Sequence, residues 1–286
     1  MAIYAEKTAD RQGIHTIDIA TYGIDTELVQ TEDEQIKASL QGDGAHAAGV
    51  MLAMERKGDV LLIRADKSGR MFNLNLIDLV RRFRLIAVIE VPDVLFNMIR
   101  VHSRSGDIRA RRLMAEEMVL ESTSGDLDIG GCMAKRSLVV HAGSGDVLLS
   151  GILAKEKLNV HTGSGDQNLR NLDTDRLDIS ASSGDLTVSE YAGTLAASTG
   201  SGDIDLRSDD MTGDISARAG SGDIAIAFTH APESFTVNYQ GSSGDGVVRI
   251  KDVVYEEKSV HRLIGRKGDG RYKIDVLTGS GDFVLE

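Results

Sequence analysis

An all-β fold built from stacked coils is what this sequence predicts, and three observations carry that prediction. First, the triplet Ser-Gly-Asp occurs nine times, at 105–107, 124–126, 144–146, 164–166, 183–185, 201–203, 221–223, 243–245 and 280–282. Second, successive triplet aspartates from Asp107 to Asp245 lie 19, 20, 20, 19, 18, 20 and 22 residues apart, with a step of 37 to Asp282. A period held so evenly is the mark of a stacked repeat. Third, the residues beside each triplet alternate apolar and polar, as in Leu138, Val140 and Ala142 before one and Val147 and Leu149 after it. Period-two alternation belongs to a strand with one buried face and argues against helix. One such unit cannot bury its apolar face alone, whereas coils stacked in parallel about 4.8 Å apart bury it and pair their backbones. The predicted fold is therefore a parallel β-helix, or β-solenoid, of roughly 20-residue coils with a Ser-Gly-Asp corner in each.

In chain order, residues 1–100 read as a less regular N-terminal β region that caps the solenoid, and 101–286 as the regular array, the two forming one continuous domain. In the first part Ile17 and Ile19, then Ile36, Ala38 and Leu40, then Val60 and Leu62 alternate, and RKGDVLLIRAD (56–66) offers a Gly-Asp corner followed by a strand. LIDLVRRFRL (76–85) reads as a helical turn or a basic loop. The regular part carries the structural corners Gly106 and Asp107, Gly125 and Asp126, Gly145 and Asp146, Gly165 and Asp166, Gly184 and Asp185, Gly202 and Asp203, Gly222 and Asp223, Gly244 and Asp245, and Gly281 and Asp282. RKGDG (266–270) reads as a degenerate corner, so the long step before Asp282 is expected to hold an extended coil or a hairpin. GSGDFVLE leads to Glu286 with no strand after it, which predicts an uncapped coil edge at that end.

Each triplet residue has a corner role in this reading. Glycine tolerates a positive φ at least cost, and Asp and Ser accept or donate hydrogen bonds to backbone groups that the bend leaves unpaired. Stacked corners place carboxylates in a column, where neighbours repel by about 0.9 kcal/mol in water and about 3.5 kcal/mol at an effective dielectric of 20. A backbone amide donating to a carboxylate returns roughly 1.5–3 kcal/mol, so an exposed column stands without an ion. A calcium-binding column is the alternative reading, the sequence otherwise implying no cofactor.

Composition narrows the function. The formal charge is −12, which repels phosphate backbones and anionic membrane surfaces, so no nucleic-acid partner is expected. Aromatics make up 4% of the chain and Trp is absent, which disfavours base-stacking or carbohydrate-stacking platforms. Cys132 is the single cysteine, so neither an intrachain disulfide nor a cysteine-based metal cluster is expected. MAIYAEKTADRQ has no signal-peptide pattern, and LIAVIEVPDVLF (85–96) is too short and too charged to span a bilayer. The chain as encoded reads as cytoplasmic with no transmembrane segment, and as cell-surface or envelope-associated if a signal or anchor has been removed.

Four residues before the corner glycines stand His102, Glu121, His141, His161, Ser180, Ser198 and Arg218, all on the polar phase. Coil stacking makes Glu121, His141 and His161 neighbours, a candidate divalent-metal set, against which stands a plain solvated polar column. No catalytic residues are read. The G-x-S-x-G, phosphate-loop and H-E-x-x-H patterns are absent, and the repetition of Ser and Asp at every corner assigns them to structure.

The repeated TGSGD and SSGD corners, the segment VIEVPDVLFNMIRVHSRSGDIR (88–109) and the closing GRKGDGRYKIDVLTGSGDFVLE (265–286) resemble the DUF4097 family of bacterial adhesin-like proteins over roughly residues 10–286. The resemblance implies a β-solenoid, no enzymatic activity, no established catalytic residues, and a link to the cell envelope or its stress response. Two functions follow as expectations: a scaffold or interaction module meeting a protein or cell-envelope partner, and a structural protein that forms homo-oligomers through its solenoid ends. A divalent-cation-binding repeat is the third.

Overall fold

The computed structural model describes residues 2–42, 50–66 and 85–286, and among these the chain is strand and turn without helix. The protein is all-β. The LIDLVRRFRL segment lies outside the described residues apart from Leu85, which opens the strand Leu85–Pro92.

Each repeat contributes a leading strand before its corner and a trailing strand after it. The leading strands Phe96–Ser103, Met114–Ser122, Met133–Ala142 and Lys157–Thr162 pair in parallel, with Val101 opposite Leu120, Leu120 opposite Val140 and Val140 opposite Val160. The trailing strands Ile108–Arg111, Leu127–Gly130 and Val147–Ala154 follow the same register, with Ile108 opposite Leu127 and Leu127 opposite Val147. In the long strands Gln167–Ser183 and Leu186–Ser201 the trailing and leading segments run on without a break. Because each repeat has the same alternation, inward residues stack on inward residues. Leu138, Val140, Leu158, Val160, Leu177, Leu127, Ile129, Val147 and Leu149 are all buried, and Leu113, Cys132, Ile152, Leu172 and Tyr191 are buried in the same core. Burying a Leu, Ile or Val side chain stabilises by about 1.5–3 kcal/mol, and a column repeats that gain at every level.

The array starts earlier than the triplets indicate. Thr16–Tyr22 pairs in parallel with Phe96–Ser103, and Asp25–Thr31 with Ile108–Arg111, so a first coil precedes the one containing Gly106. Beyond it Val60–Asp66 and Leu85–Pro92 still pair in parallel with Thr16–Tyr22 and Asp25–Thr31, and the polarity changes on their far side. Leu85–Pro92 pairs antiparallel with Gln35–Gly42, which pairs antiparallel with Ala2–Asp10; Val60–Asp66 pairs antiparallel with Met51–Lys57. The strand expected after Gly58 and Asp59 is present, but these two residues form a tight hairpin turn with Gly58 at φ 65°, not a stacked corner.

The other end departs from sequence order. Tyr272–Thr278 lies between Ile215–Ser221 and Phe235–Gly241, parallel to both, and Phe283–Leu285 lies between Ile224–Phe228 and Gly246–Val248. The last coil in the sequence is thus an interior coil. The uncapped edge expected after GSGDFVLE is overturned, because Phe283–Leu285 has a parallel neighbour on each side. The outermost coil is instead the one at 235–248, and the hairpin of Val254–Lys258 and Arg262–Lys267 lies antiparallel against Phe235–Gly241. RKGDG is the turn out of that hairpin, with Gly268 at φ 61° and Gly270 at φ 76°. Asp269 accepts from the Ser234 hydroxyl instead of joining the corner column.

Candidate functional site

The corners form a directional ladder. The backbone N–H of each triplet aspartate donates to Oδ1 of the aspartate one coil below: Asp126 to Asp107 (3.1 Å), Asp146 to Asp126 (2.9 Å) and Asp166 to Asp146 (2.9 Å). The series continues from Asp185 to Asp166, Asp203 to Asp185 and Asp223 to Asp203, then from Asp282 to Asp223 and Asp245 to Asp282 at 2.8 Å each. Asp107 in turn donates to Asp25 at 3.2 Å, so Asp25, in the sequence YGID, joins the ladder without belonging to a triplet. The carboxylates above Asp107 are exposed, so their repulsion of about 0.9 kcal/mol per neighbour is outweighed by amide bonds worth roughly 1.5–3 kcal/mol each.

Glycine is needed at these corners for space more than for backbone conformation. Only Gly184 and Gly202 among the nine have φ in the left-handed range, at 148° each. A Cβ on Gly125, however, would lie 2.1 Å from the carbonyl oxygen of Gly106, and one on Gly145 would lie 2.1 Å from that of Gly125. The expected positive φ is therefore corrected at seven corners: the backbone of one coil rests directly on the carbonyl of the next. The triplet serine is corrected too. Among the described residues only Ser243 uses its hydroxyl at a corner, donating to Gly279 O at 3.4 Å. The tie comes from the buried residue three places before glycine. Ser103 Oγ donates to Gly106 O and accepts from Gly106 N, Ser122 Oγ accepts from Gly125 N, Thr162 donates to Gly165 O, and Thr278 accepts from Gly281 N. A hydroxyl at an inward position of the alternation was the sequence signal for it.

On the leading-strand face the polar column is in register. His102 faces Glu121, Glu121 faces His141, His141 faces His161 and His161 faces Ser180. Ser180 then faces Ser198, which faces Arg218. His102 Nδ1 lies 3.7 Å from Glu121 Oε2, the His141 and His161 rings meet edge to face at 4.9 Å, and His161 Nδ1 is 2.9 Å from Ser180 Oγ. Desolvation, with a smaller contribution from His141, holds His161 below the ordinary imidazole range. Beside it, Lys157 and Arg176 each lie 2.9 Å from Asp178, and their hydrogen bonds overcome partial burial to keep that carboxyl below its usual range. Glu121, His141 and His161 are neighbours, yet among the described residues no three His, Cys, Asp or Glu side chains converge as metal ligands would.

A groove of about 300 Å³ follows the ladder past Asp107, Asp126, Asp146 and Asp166, with Arg109 and Asn168 on its rim. Two more, of about 250 and 310 Å³, cross the leading-strand face at Asp178, Ser198 and Arg218 and at Arg218, Asn238 and Asp275. No helix among the described residues is long and apolar enough to cross a membrane.

Fold and surface together define an all-β repeat protein whose outward side chains form ordered columns. The chain belongs to the Toastrack DUF4097 family, whose profile matches residues 14–286. Among solved structures, it is similar to a putative cell adhesion protein from Clostridium sporogenes ATCC 15579, at 12% identity and a TM-score of 0.37 with 98% of each chain covered. A putative adhesin from Bacteroides fragilis NCTC 9343 is 16% identical, with a TM-score of 0.45 and coverage of 99% of this chain and 96% of that one. No curated protein matches the chain.

Proposed function

We propose that the chain is a rigid parallel β-solenoid serving as a non-enzymatic, adhesin-like interaction module associated with the bacterial cell envelope, with residues 1–100 closing one end and 101–286 forming the continuous array. The observation that carries this reading is the in-register column from His102 to Arg218. A flat strand face that holds side chains at fixed spacing over many coils suits an extended partner surface better than a small substrate. In this reading the ladder aspartates are structural and no cofactor takes part.

The end-to-end polymer is disfavoured on physical grounds. Coils propagate through parallel strands, and among the described residues antiparallel strands cover part of each end, Met51–Lys57 and Ala2–Asp10 at one and the 254–267 hairpin on Phe235–Gly241 at the other. An antiparallel edge does not template a further parallel coil.

Cosedimentation of the purified protein with isolated bacterial envelopes tests the proposal, using wild type, a face variant (Glu121→Lys with Arg218→Glu) and a variant altered away from the face (Arg207→Glu). Binding by wild type and the Arg207 variant, with loss in the face variant, supports it. Absence of binding, or equal binding by all three, rejects it.

A further inference from the structure

The out-of-order coil Tyr272–Leu285 carries a further inference. It is bounded by coil 215–228 on one side and coil 235–248 on the other, and these two are themselves complementary. Ile215 reaches Val237 through Ile274, and Asp223 reaches Asp245 through Asp282. The pairs 215/237 and 223/245 have the same separation in sequence, so leading strand, corner and trailing strand of the two coils would meet in a single register with nothing between them. The corner geometry repeats as well. Gly281 rests on Gly222 O and Gly244 rests on Gly281 O, each with 1.8 Å between a would-be Cβ and the carbonyl oxygen below. Inward residues that would then meet, Ile215 with Val237 and Ile226 with Val248, are apolar and buried or half-buried in place.

We propose that coil Tyr272–Leu285 is a removable insert, and that the array closes behind it by pairing coil 215–228 directly with coil 235–248. Withdrawing an interior coil breaks two parallel ladders, but closure restores one, so the net loss is that of an end coil. The hairpin Val254–Lys258/Arg262–Lys267 stays on Phe235–Gly241 throughout. The hinge is Gly268-Asp269-Gly270, where two glycines at φ 61° and 76° join the hairpin to the insert. The shortened array keeps an unbroken corner ladder, with Asp245 N–H donating to Asp223. The released segment exposes Ile274, Val276, Phe283 and Leu285, which are buried when inserted. The device thus switches one alternating strand pair between concealed and available without unfolding the rest.

Disulfide trapping on the full chain tests this. Ser221, Ser280 and Ser243 are exposed and stand one above another at the corner. With the insert in place, positions 221 and 243 are two strand spacings apart, about 9.6 Å, beyond the roughly 7 Å that a disulfide spans between Cα atoms. Under mild oxidation the variant Ser221→Cys/Ser243→Cys is expected to form the intramolecular crosslink, more slowly than the adjacent-coil control Ser201→Cys/Ser221→Cys because it awaits opening of the insert. The trapped protein then becomes protease-sensitive within 272–286. Crosslinking of the control without the 221–243 crosslink overturns the proposal, as does a 221–243 crosslink formed only between copies or one that leaves 272–286 protected.

Discussion

At the Ser-Gly-Asp corner every repeat from Gly106 to Gly281 keeps glycine, whereas at the opposite corner Arg112, Gly131, Gly151, Asn171 and Glu190 share a left-handed backbone with only two glycines among them. The first corner mostly has ordinary φ and no room for a Cβ; the second has room and an unfavourable φ. A Cβ on Gly151 would meet nothing closer than 3.9 Å, against 2.1 Å at Gly145. Left-handed backbone costs an L-residue about 1–2 kcal/mol, which a stable array absorbs. Overlap with a backbone carbonyl has no such ceiling, because neither coil can retreat without breaking its ladder. Close approach, more than dihedral preference, is what makes the triplet repeat.

Substitutions at the two corners sharpen or break that comparison. Gly145→Ala is expected to have the largest effect, a loss of about 3 kcal/mol or more, read as a fall in the urea midpoint; a loss below 1 kcal/mol would show that the coils can spread. Thr162→Val, which removes the hydroxyl that donates to Gly165 O and leaves the Gln167 side-chain amide with Ser180 O alone, should cost about 1–2 kcal/mol in the same measurement. At the second corner the sign reverses. Glu190→Gly relieves the left-handed φ of 54° and is expected to stabilise by about 0.5–1 kcal/mol; a destabilisation would place the corner's requirement elsewhere.

The smallest effect is on pH dependence. Because His161 is held below the ordinary imidazole range, the unfolded chain takes up the proton at higher pH than the native one. Its contribution is complete above the unfolded value of about 6.5 and is lost as pH falls through the lower native value. The drop in Tm between pH 7.5 and 5.5 should therefore be smaller in His161→Asn than in wild type, and an unchanged drop would contradict this assignment.

Much of the architecture was legible because alternation and period act locally. Leu138, Val140, Val147 and Leu149 face inward as their spacing requires, and the aspartates stack where their period places them. Asp25 is not marked by the repeat because its corner reads YGID, in which Ile24, on whose carbonyl oxygen Gly106 rests, stands where the later corners carry glycine. The position of Asp282 was illegible for a different reason. Coils with matching registers are interchangeable neighbours, so spacing alone favours Asp223 beside Asp245, and only the hairpin at 254–267 and the turn at Gly268 and Gly270 carry the chain back between them. On the surface, the period places His141 beside His161, while the exchange of Ser-Gly-Asp serine for the buried Ser122 and Thr162 as corner ties depends on side-chain direction that period alone leaves open.

The corner ladder itself is most directly tested by amide hydrogen exchange in Asp126→Ala. The Asp126 side chain accepts from the amide of Asp146, while its own amide donates to Asp107. Faster exchange at Asp146, with the amides of residue 126 and Asp166 unchanged, is the predicted result. Equal acceleration on both sides of the substitution, or none at Asp146, would contradict a ladder that runs in one direction from coil to coil.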